Sequence, residues 1–577
     1  MTKNMRYFVL LLFVFSTSFL VAQAPQVQSI DPVNQAILAD PAGAISITFD
    51  QAIDPATMTF GNFRVFGRWS GPAEVSFSLS SDQRTVEMTP FESFMAGEWV
   101  AVMVTKNVTA IDGTPMAQGY VWNFWTAVND YISEPVINLI KTIELRETGE
   151  GLLQAYGAYA GDLNNDGFSD LTVINETSDD IRILLNDGTG DYTDFETIPL
   201  NSGTPSPNEG ADFNNDGEID LAICTAHDNQ LRILYGDGSG TLGDMQDLTT
   251  GLNARGLGVI ELDGDGDDDL VIANRGSSNL SLYFNDGFGV FTTTNIDPPG
   301  EGESGLVVVD MNNDGIQDLV LGMYTSSEVI VLLGDGTGGF FNGTPVAVQG
   351  QPWMLAVGDF NGDGSADVAS ANSTGNNVAI LLNDGSGGLA APSYLSEFNA
   401  LFPLAIDVGD LDGDKDLDIV TSNYTSSTFQ IYYNDGSGNF ATGPSLEAGL
   451  HASCAILHDR DNDGDLDISG TDEGDDWVLL YDLSPIILAT SELETAYTKI
   501  QPNPFVEEVS ILMGEVNRDV KLQIFDLHGQ LVQELPVSEI VRWNGKSMSG
   551  IEVPVGVYYL TWTDGEKQSV QKIIKAQ

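Results

Sequence analysis

The feature that most constrains this chain is an acidic loop that returns at a near-constant interval. In its first copy, residues 161–173 read GDLNNDGFSDLTV. Asp162, Asn164 and Asp166 offer side-chain oxygens at alternating positions, Asp170 adds a carboxylate at the ninth, and Gly167 stands where the loop must turn. A hard calcium ion asks for this set: alternating oxygen ligands, a glycine at the sixth position and a later carboxylate. One such loop could equally be an ordinary Asp/Asn/Gly turn. Recurrence decides. Further copies begin at Asp212 (DFNNDGEIDL), Glu261 (ELDGDGDDDL), Asp310 (DMNNDGIQDL), Asp359 (DFNGDGSADV), Asp410 (DLDGDKDLDI) and Asp459 (DRDNDGDLDI), at intervals of 50, 49, 49, 49, 51 and 49 residues. A period near 50 with several short strands per unit is the signature of propeller blades.

Each unit follows one grammar. A strand such as LAVGDF (355–360) enters the loop, and a second such as DLTVIN (170–175) leaves it. A polar turn leads to a third strand such as IRILLNDG (181–188), then a glycine hairpin and a fourth strand. The hairpins NDGTGDY, GDGSGTL, NDGFGVF, GDGTGGF, NDGSGGL and NDGSGNF carry the residues that tight turns between strands require. An EF-hand is excluded, since it needs flanking helices and a glutamate at position twelve. Seven units predict seven blades. The last unit stops after its third strand, WVLLYDLSP (477–485), whereas VINLIKTIEL (136–145) has strand character and no partner in its own unit. The expectation is that this early segment completes blade seven and leaves no open sheet edge.

This grammar resembles the FG-GAP/VCBS repeat, the blade unit of integrin α-subunit propellers and of many bacterial surface proteins, over residues 136–485. The resemblance implies up to seven calcium ions, each held by positions one, three, five and nine and by the backbone carbonyl of position seven. Those side chains are Asp162, Asn164, Asp166 and Asp170; Asp212, Asn214, Asp216 and Asp220; Glu261, Asp263, Asp265 and Asp269; Asp310, Asn312, Asp314 and Asp318; Asp359, Asn361, Asp363 and Asp367; Asp410, Asp412, Asp414 and Asp418; and Asp459, Asp461, Asp463 and Asp467. Two loops depart from the pattern. Glu261 is one methylene longer at position one, which shifts the loop without abolishing binding. Lys415 replaces the turning glycine of loop six, where positive φ is often needed, and marks that site as the weakest. The resemblance also places the acidic loops on one face and ligands on the other. Carried over by strand order, the ligand face comprises His227, Arg275, Tyr324, Tyr424 and Glu473, with Arg255, Trp353, Phe402 and His451. Aromatics and a few polar groups around a central depression would suit a sugar or a protein loop, although any one of them alone reads as an ordinary loop residue.

The flanks have their own character. Residues 1–24 read as a signal peptide, with Lys3 and Arg6 before an apolar run from Tyr7 to Leu20 and small residues at Ala22 and Ala24. No further apolar span follows, so no transmembrane anchor is expected. Residues 25–128 alternate apolar and polar positions in short runs (ISITFD, FRVFG, AEVSFSLS, RTVEMTP, EWVAVMVT, YVWNFWTAV), which predicts a β-sandwich. The order of these cues resembles a bacterial Ig-like domain and implies a spacer or binding module, with Trp122 and Trp125 in its core. A linker at 129–135 precedes the propeller and another at 486–499 follows it. Residues 500–577, with PNPF, DLHGQ, GVYYL and KIIK in that order, resemble the C-terminal sorting domain of type IX secretion. That likeness implies handling by the outer-membrane translocon of a Gram-negative bacterium, and an extracellular or cell-surface destination. The fold class expected is therefore all-β: an Ig-like sandwich, a seven-bladed propeller with calcium loops and a small C-terminal β-sandwich.

Charge narrows the partners. Against 22 basic residues stand 84 acidic ones, a net charge of -62, which disfavours nucleic acid and anionic membranes. Three carboxylates in each of four loops and four in each of the other three account for 24 of the 84. Such crowding predicts loops that are strained or disordered without a cation. Cys224 and Cys454 make a poor disulfide framework and read as buried thiols. The four histidines lack the zincin pattern, and no G-x-S-x-G elbow occurs. The expected function is non-enzymatic adhesion or glycan/protein binding, with an unknown glycan or protein as ligand. The alternative is a secreted carbohydrate-active enzyme, a lyase or hydrolase, working from the ligand face. It would need a His or Tyr base beside an Arg or Lys, and the propeller has only eight basic residues: Lys141, Arg146, Arg182, Arg232, Arg255, Arg275, Lys415 and Arg460.

Overall fold

The computed structural model describes residues 23–129, 136–201, 203–484 and, with short interruptions, 499–576. All but the last two residues of the expected signal peptide, and nearly all of both linkers, lie outside the described residues. The chain forms two compact units, residues up to 483 in one and the C-terminal domain in the other.

Within the larger unit the repeats become sheets. Each fully buried second strand (Asp170–Asn175, Asp220–Thr225, Asp269–Asn274, Asp318–Met323, Asp367–Asn372, Asp418–Asn423, Asp467–Asp472) lies between an inner strand and a third strand, all antiparallel. Seven such sheets follow one another, and their inner strands pack in succession, with Ala452–His458 of the last against Ala155–Gly161 of the first. The ring therefore closes. In the last sheet the outermost strand is Val136–Glu144, as its lack of a partner predicted.

The same hydrogen bond recurs at several blade junctions, including the closing one. The hairpin asparagine of one blade donates from Nδ2 to the carbonyl of the second loop residue of the blade before it. Asn285 reaches Phe213 at 2.8 Å, Asn383 reaches Met311 at 2.7 Å and Asn434 reaches Phe360 at 2.9 Å. Asn186 of blade one reaches Arg460 of blade seven at 2.9 Å. The first-to-last junction is thus built like the internal ones. It is reinforced by Asp476, a fully buried carboxylate that accepts from the Arg146 guanidinium and from the amides of Leu153 and Gln154.

Residues 25–128 form two four-stranded sheets around Phe49, Phe63, Val86, Val102, Trp122 and Phe124. This domain packs against the ring rather than standing off from it, so of the two roles the resemblance implied, spacer or binding module, it does not act as a spacer. It lies on the acidic-loop face of the ring. The Trp69 carbonyl accepts from the Asp162 amide at 2.7 Å, the Gly315 carbonyl from the Val121 amide at 2.8 Å, and the Gly464 carbonyl from the Asn129 amide at 2.8 Å. Trp122 belongs to the sandwich core as expected, whereas Trp125 packs with Ala356, Phe360, Ile406 and Leu417 of the propeller. Three of the four basic residues of this segment face the propeller, which suits an acidic surface. Arg64 lies 3.7 Å from both Asp267 and Asp268, Arg68 3.3 Å from Asp407, and Lys106 3.4 Å from Asp263.

The C-terminal unit pairs a three-stranded sheet (Lys499–Gln501, Val509–Leu512, Ile540–Trp543) with a four-stranded one (Leu531–Leu535, Lys521–Phe525, Gly556–Asp564, Lys567–Lys575). Phe505, Ile511, Ile524, Trp543, Leu560 and Ile573 fill the space between them.

Candidate functional site

Two sets of side chains carry chemistry, one on each face of the ring. On the loop face, each acidic loop is first a piece of backbone engineering. In loop one the Asp162 carboxylate accepts from the amides of Asp166 and Gly167, Asn164 accepts from Asp166, and Asp166 accepts from Phe168. In loops one to six the ninth-position aspartate grips two chain segments. One oxygen takes the amide of the second loop residue and the other takes the amide at the end of the third strand, as with Leu163 and Asn186 on Asp170. The ninth position is thus buried because it ties the loop into the blade.

Burial and like charge then oppose ionisation of these groups. Burial first, and neighbouring carboxylates after it, push Asp170, Asp318 and Asp367 up to about 7, Asp220 to about 8 and Asp269 to about 9. At position one the same causes push Asp212 and Asp310 up to about 6, and Glu261, Asp410 and Asp459 to about 7. In loops three, six and seven, oxygens of Glu261, Asp263 and Asp265, of Asp410, Asp412 and Asp418, and of Asp459, Asp461 and Asp463 come within 4.8 Å of one another. Asp410 Oδ1 is buried without a hydrogen-bond partner, and Asp467 Oδ2 has only the Arg460 guanidinium, 3.4 Å away. An all-oxygen, anionic, crowded set with an orphaned buried acceptor suits a hard divalent cation.

The two irregular loops are accommodated. Glu261 uses its extra length to accept from the amides of Asp263, Gly264 and Gly266. Lys415 adopts φ +83°, the left-handed turn that glycine makes in the other loops. A third irregularity escaped the sequence reading. Loop seven has Arg460 where the other loops have Leu, Phe or Met, and its guanidinium sits 3.4 Å from Asp467 and 3.5 Å from Asp482. The signal was the lone charge at an otherwise apolar register.

On the opposite face the inner strands lead to the mouth of a central channel. The cavity measures about 340 Å³, and Arg64, Arg68, Trp99, Met103 and Trp125 of the Ig-like domain lie across its loop-face end. Leu257, Val259, Leu306, Leu355, Val357 and Ile406 make its walls largely apolar, and Cys454, only half-buried, also lines it. Burial works against the charge on Arg68, but Asp407 and Glu209 hold the guanidinium above its ordinary range.

At the mouth, six of the nine expected ligand residues form one continuous arc, and a seventh, Glu473, sits beside Tyr424 and accepts from Gln154 Nε2 at 2.8 Å. The rings of Tyr324 and Trp353 meet edge-on at 5.3 Å, Trp353 and Phe402 at 6.2 Å, Phe402 and Tyr424 at 6.1 Å, and Tyr424 stacks on His451 at 4.3 Å. The Arg275 guanidinium lies 4.9 Å from the Tyr324 ring and 5.0 Å from the Trp353 ring. Arg255 joins from the side, bonded to Glu176 at 2.8 Å and to Ser206 at 2.9 Å. His227 stays out of the arc on an exposed turn. The blade-two residue in register with Arg275, Tyr324 and Tyr424 is Ala226, one position earlier, and the same register in blade one gives Glu176. Tyr156 was also missed. It occupies the inner-strand position of Arg255 and Trp353, and its hydroxyl accepts from Trp353 Nε1 at 2.9 Å. Burial pushes the Tyr156 hydroxyl up to about 12, and burial followed by Arg255 pulls Arg275 below its usual value.

A closed ring of repeated sheets bearing acidic loops, capped by a sandwich and followed by a separate small β-domain, defines an exported β-propeller protein. Family models agree along the chain. The bacterial Ig-like domain matches residues 21–126, the FG-GAP-like repeat matches six overlapping segments between 162 and 469, and the secretion system C-terminal sorting domain matches 499–576. The chain belongs to the FG-GAP-like repeat family. The sorting domain marks it for export by type IX secretion to the cell surface or beyond. None of the matched families is a catalytic one. No helix among the described residues is long and apolar enough to cross a membrane. No curated relative matches the chain.

Several solved structures align over most of their own length at low identity. BBS1N in complex with ARL6DN shares 13% identity over 61% of this chain and 99% of that one, with a TM-score of 0.46. An Agrocybe aegerita lectin that recognises non-reducing terminal N-acetylglucosamine shares 18% over 69% and 92%, at 0.35. A putative 6-phosphogluconolactonase from Bacteroides uniformis shares 12% over 57% and 95%, at 0.37. Likenesses this distant carry no argument about fold or ligand.

Proposed function

We propose that this is a calcium-stabilised surface protein that binds a glycan or a loop of another protein at the aromatic mouth and catalyses nothing. The observation that carries the reading is the arc from Arg275 through Tyr324, Trp353, Phe402 and Tyr424 to His451, half-buried and continuous around the channel. Aromatic faces bury apolar sugar or side-chain surface without giving up their edges to water. On the other face, the ligand positions of the seven loops are the ones that would hold calcium. When bound, the ion supplies the positive charge that lets buried carboxylates ionise side by side. The chain's own part is to fix the loop backbone through the position-one and position-nine carboxylates.

A screen of the full chain against glycans and matrix proteins, with calcium and with chelator, tests the reading. Binding that Trp353→Ala removes is expected. Silence in the calcium form, or binding indifferent to Trp353→Ala, overturns it.

One observation favours a second reading, an enzyme on acidic polysaccharide. Tyr156 lies beside Arg255, with the guanidinium carbon 6.0 Å from the ring centroid, which is the base-and-cation pairing a lyase needs. Burial raises that hydroxyl to about 12, which makes a poor base at neutral pH. New unsaturated chain ends from a uronate polymer would reverse this ranking.

A further inference from the structure

We propose that the mouth recognises the end of a glycan chain through a carboxylate on its terminal sugar, and that Arg275 is the residue that holds this carboxylate. The inference rests on the reading of the mouth as a binding site and adds the chemistry of what enters it.

The first argument is the company Arg275 keeps. In a chain with 22 basic against 84 acidic residues, a cation has little difficulty finding an anion. Arg146 has Asp476, Arg182 has Glu150, Arg232 has Asp228, Arg255 has Glu176 and Arg460 has Asp467. Among the described residues Arg275 makes no ion pair, and its Nη1 is buried without a hydrogen-bond partner. Two aromatic rings hold the guanidinium instead, at 4.9 and 5.0 Å. Contacts of this kind fix its plane but leave its donors unused. An arginine desolvated, oriented and left without a carboxylate is prepared for one from outside. A planar fork of donors matches a carboxylate better than it matches a hydroxyl. Arg255, bonded to Glu176 and Ser206, is already committed.

The second argument is the shape of the channel. The Ig-like domain lies across its far end, so a polymer has no route through the ring. A terminal unit can enter, with its apolar face against Trp353 and Tyr324 and its acid group toward Arg275.

The test measures binding to the calcium-loaded full chain by calorimetry. The probes are sialyllactose, a disaccharide ending in glucuronic acid, neutral lactose, and an oligouronate capped at its outer end by a neutral sugar. Both acid-ended probes separate the two sources of a terminal carboxylate, and the capped chain separates a terminal acid from an internal one. At least one acid-ended probe is expected to bind at least about tenfold more tightly than lactose and the capped chain. Arg275→Gln should remove that preference while leaving the thermal unfolding midpoint in place, and Arg275→Lys should restore only part of it. Equal affinity for acidic and neutral ends, a capped chain that binds as well as the acid-ended probes, or a parent-like Arg275→Gln variant overturns the inference and leaves the binding mouth standing. If no sugar binds while a protein ligand does so through Trp353, the inference also falls. Failure of all ligands at Trp353 removes the underlying reading itself.

Discussion

At the scale of single residues, Glu303 is the side chain the fold has least reason to contain. The first position of the inner strand is Ala in blades one, three and seven and Pro in blades two, five and six. Blade four puts a glutamate there, fully buried, with no partner for either carboxylate oxygen beyond the nearby amides of Gly302 and Glu303 itself. Burial, with Asp297 and Glu301 adding to it, pushes the acid up to about 7 from an ordinary 4.5. A folded value above the unfolded one means the fold favours the protonated form. Its contribution is complete below about pH 4.5 and is lost as the pH rises through 7. Glu303→Gln should therefore flatten the decline in stability across that window and gain about 3 kcal/mol at pH 8. Urea unfolding of parent and variant at pH 5 and pH 8 gives the difference directly, and parallel behaviour at both values would refute it. The repeat register also explains what could be read in advance. Residues whose place is set by that register, such as the 28 oxygen-bearing loop positions that the resemblance assigns to calcium, could be located by counting along the repeat. Tyr156 and Glu176 were equally available by counting from the loops. Whether the Arg460 side chain turns toward Asp467 and Asp482 depends on its rotamer, which no spacing records.

At the scale of elements, strands and their order were legible because each second strand starts at the ninth-position aspartate with β-branched or aliphatic residues, and the loops and hairpins bound it at a fixed interval. The docking of the sandwich was not, because the surfaces involved carry no period. Arg64, Arg68 and Lys106 look like ordinary surface cations until the acidic loops stand opposite them. Trp69 is the anchor of that contact. It is 3% exposed, packs in the cluster shared by blades one and seven, and meets the His458 ring at 6.3 Å. Its loop is held by Glu98, which accepts from the amides of Trp69, Ser70 and Met95 and from the Ser70 hydroxyl. Trp69→Ala should cost the docked state about 3–5 kcal/mol, the range for deleting a buried indole. Calorimetry of the calcium form should then show the sandwich melting ahead of the propeller, where the parent melts as one. A single unshifted transition in the variant would mean that the contact contributes little.

For the molecule as a whole, the question is what holds an acidic ring shut. Inner strands meet around the full circle, and Val136–Glu144 supplies the missing edge of the last blade, so the topology permits closure. Electrostatics resists it, because position-one and position-nine carboxylates are buried together in every loop except the fifth, where Asp359 is half-buried, but have been given few cations. Arg460 serves loop seven, and Arg64 and Lys106 lie beside loops two and three. Loops one, four and five have no arginine or lysine ion pair at their ligand positions among the described residues. Calcium at a hundredfold excess over its dissociation constant would add about 2.7 kcal/mol for each occupied site. Chelation should then lower the unfolding midpoint by well over 10 °C, because several such contributions are lost together. Magnesium should restore little of it, since it keeps its waters and demands a tighter octahedron than these loops offer. Loop seven should be a second weak site beside loop six. With a guanidinium already beside Asp467, it should fill late, and Arg460→Leu should strengthen that step in a calcium titration. A midpoint indifferent to chelator would show that backbone hydrogen bonds alone keep these carboxylates in place as neutral acids, and infrared bands of protonated carboxyl groups at pH 7 would then identify them.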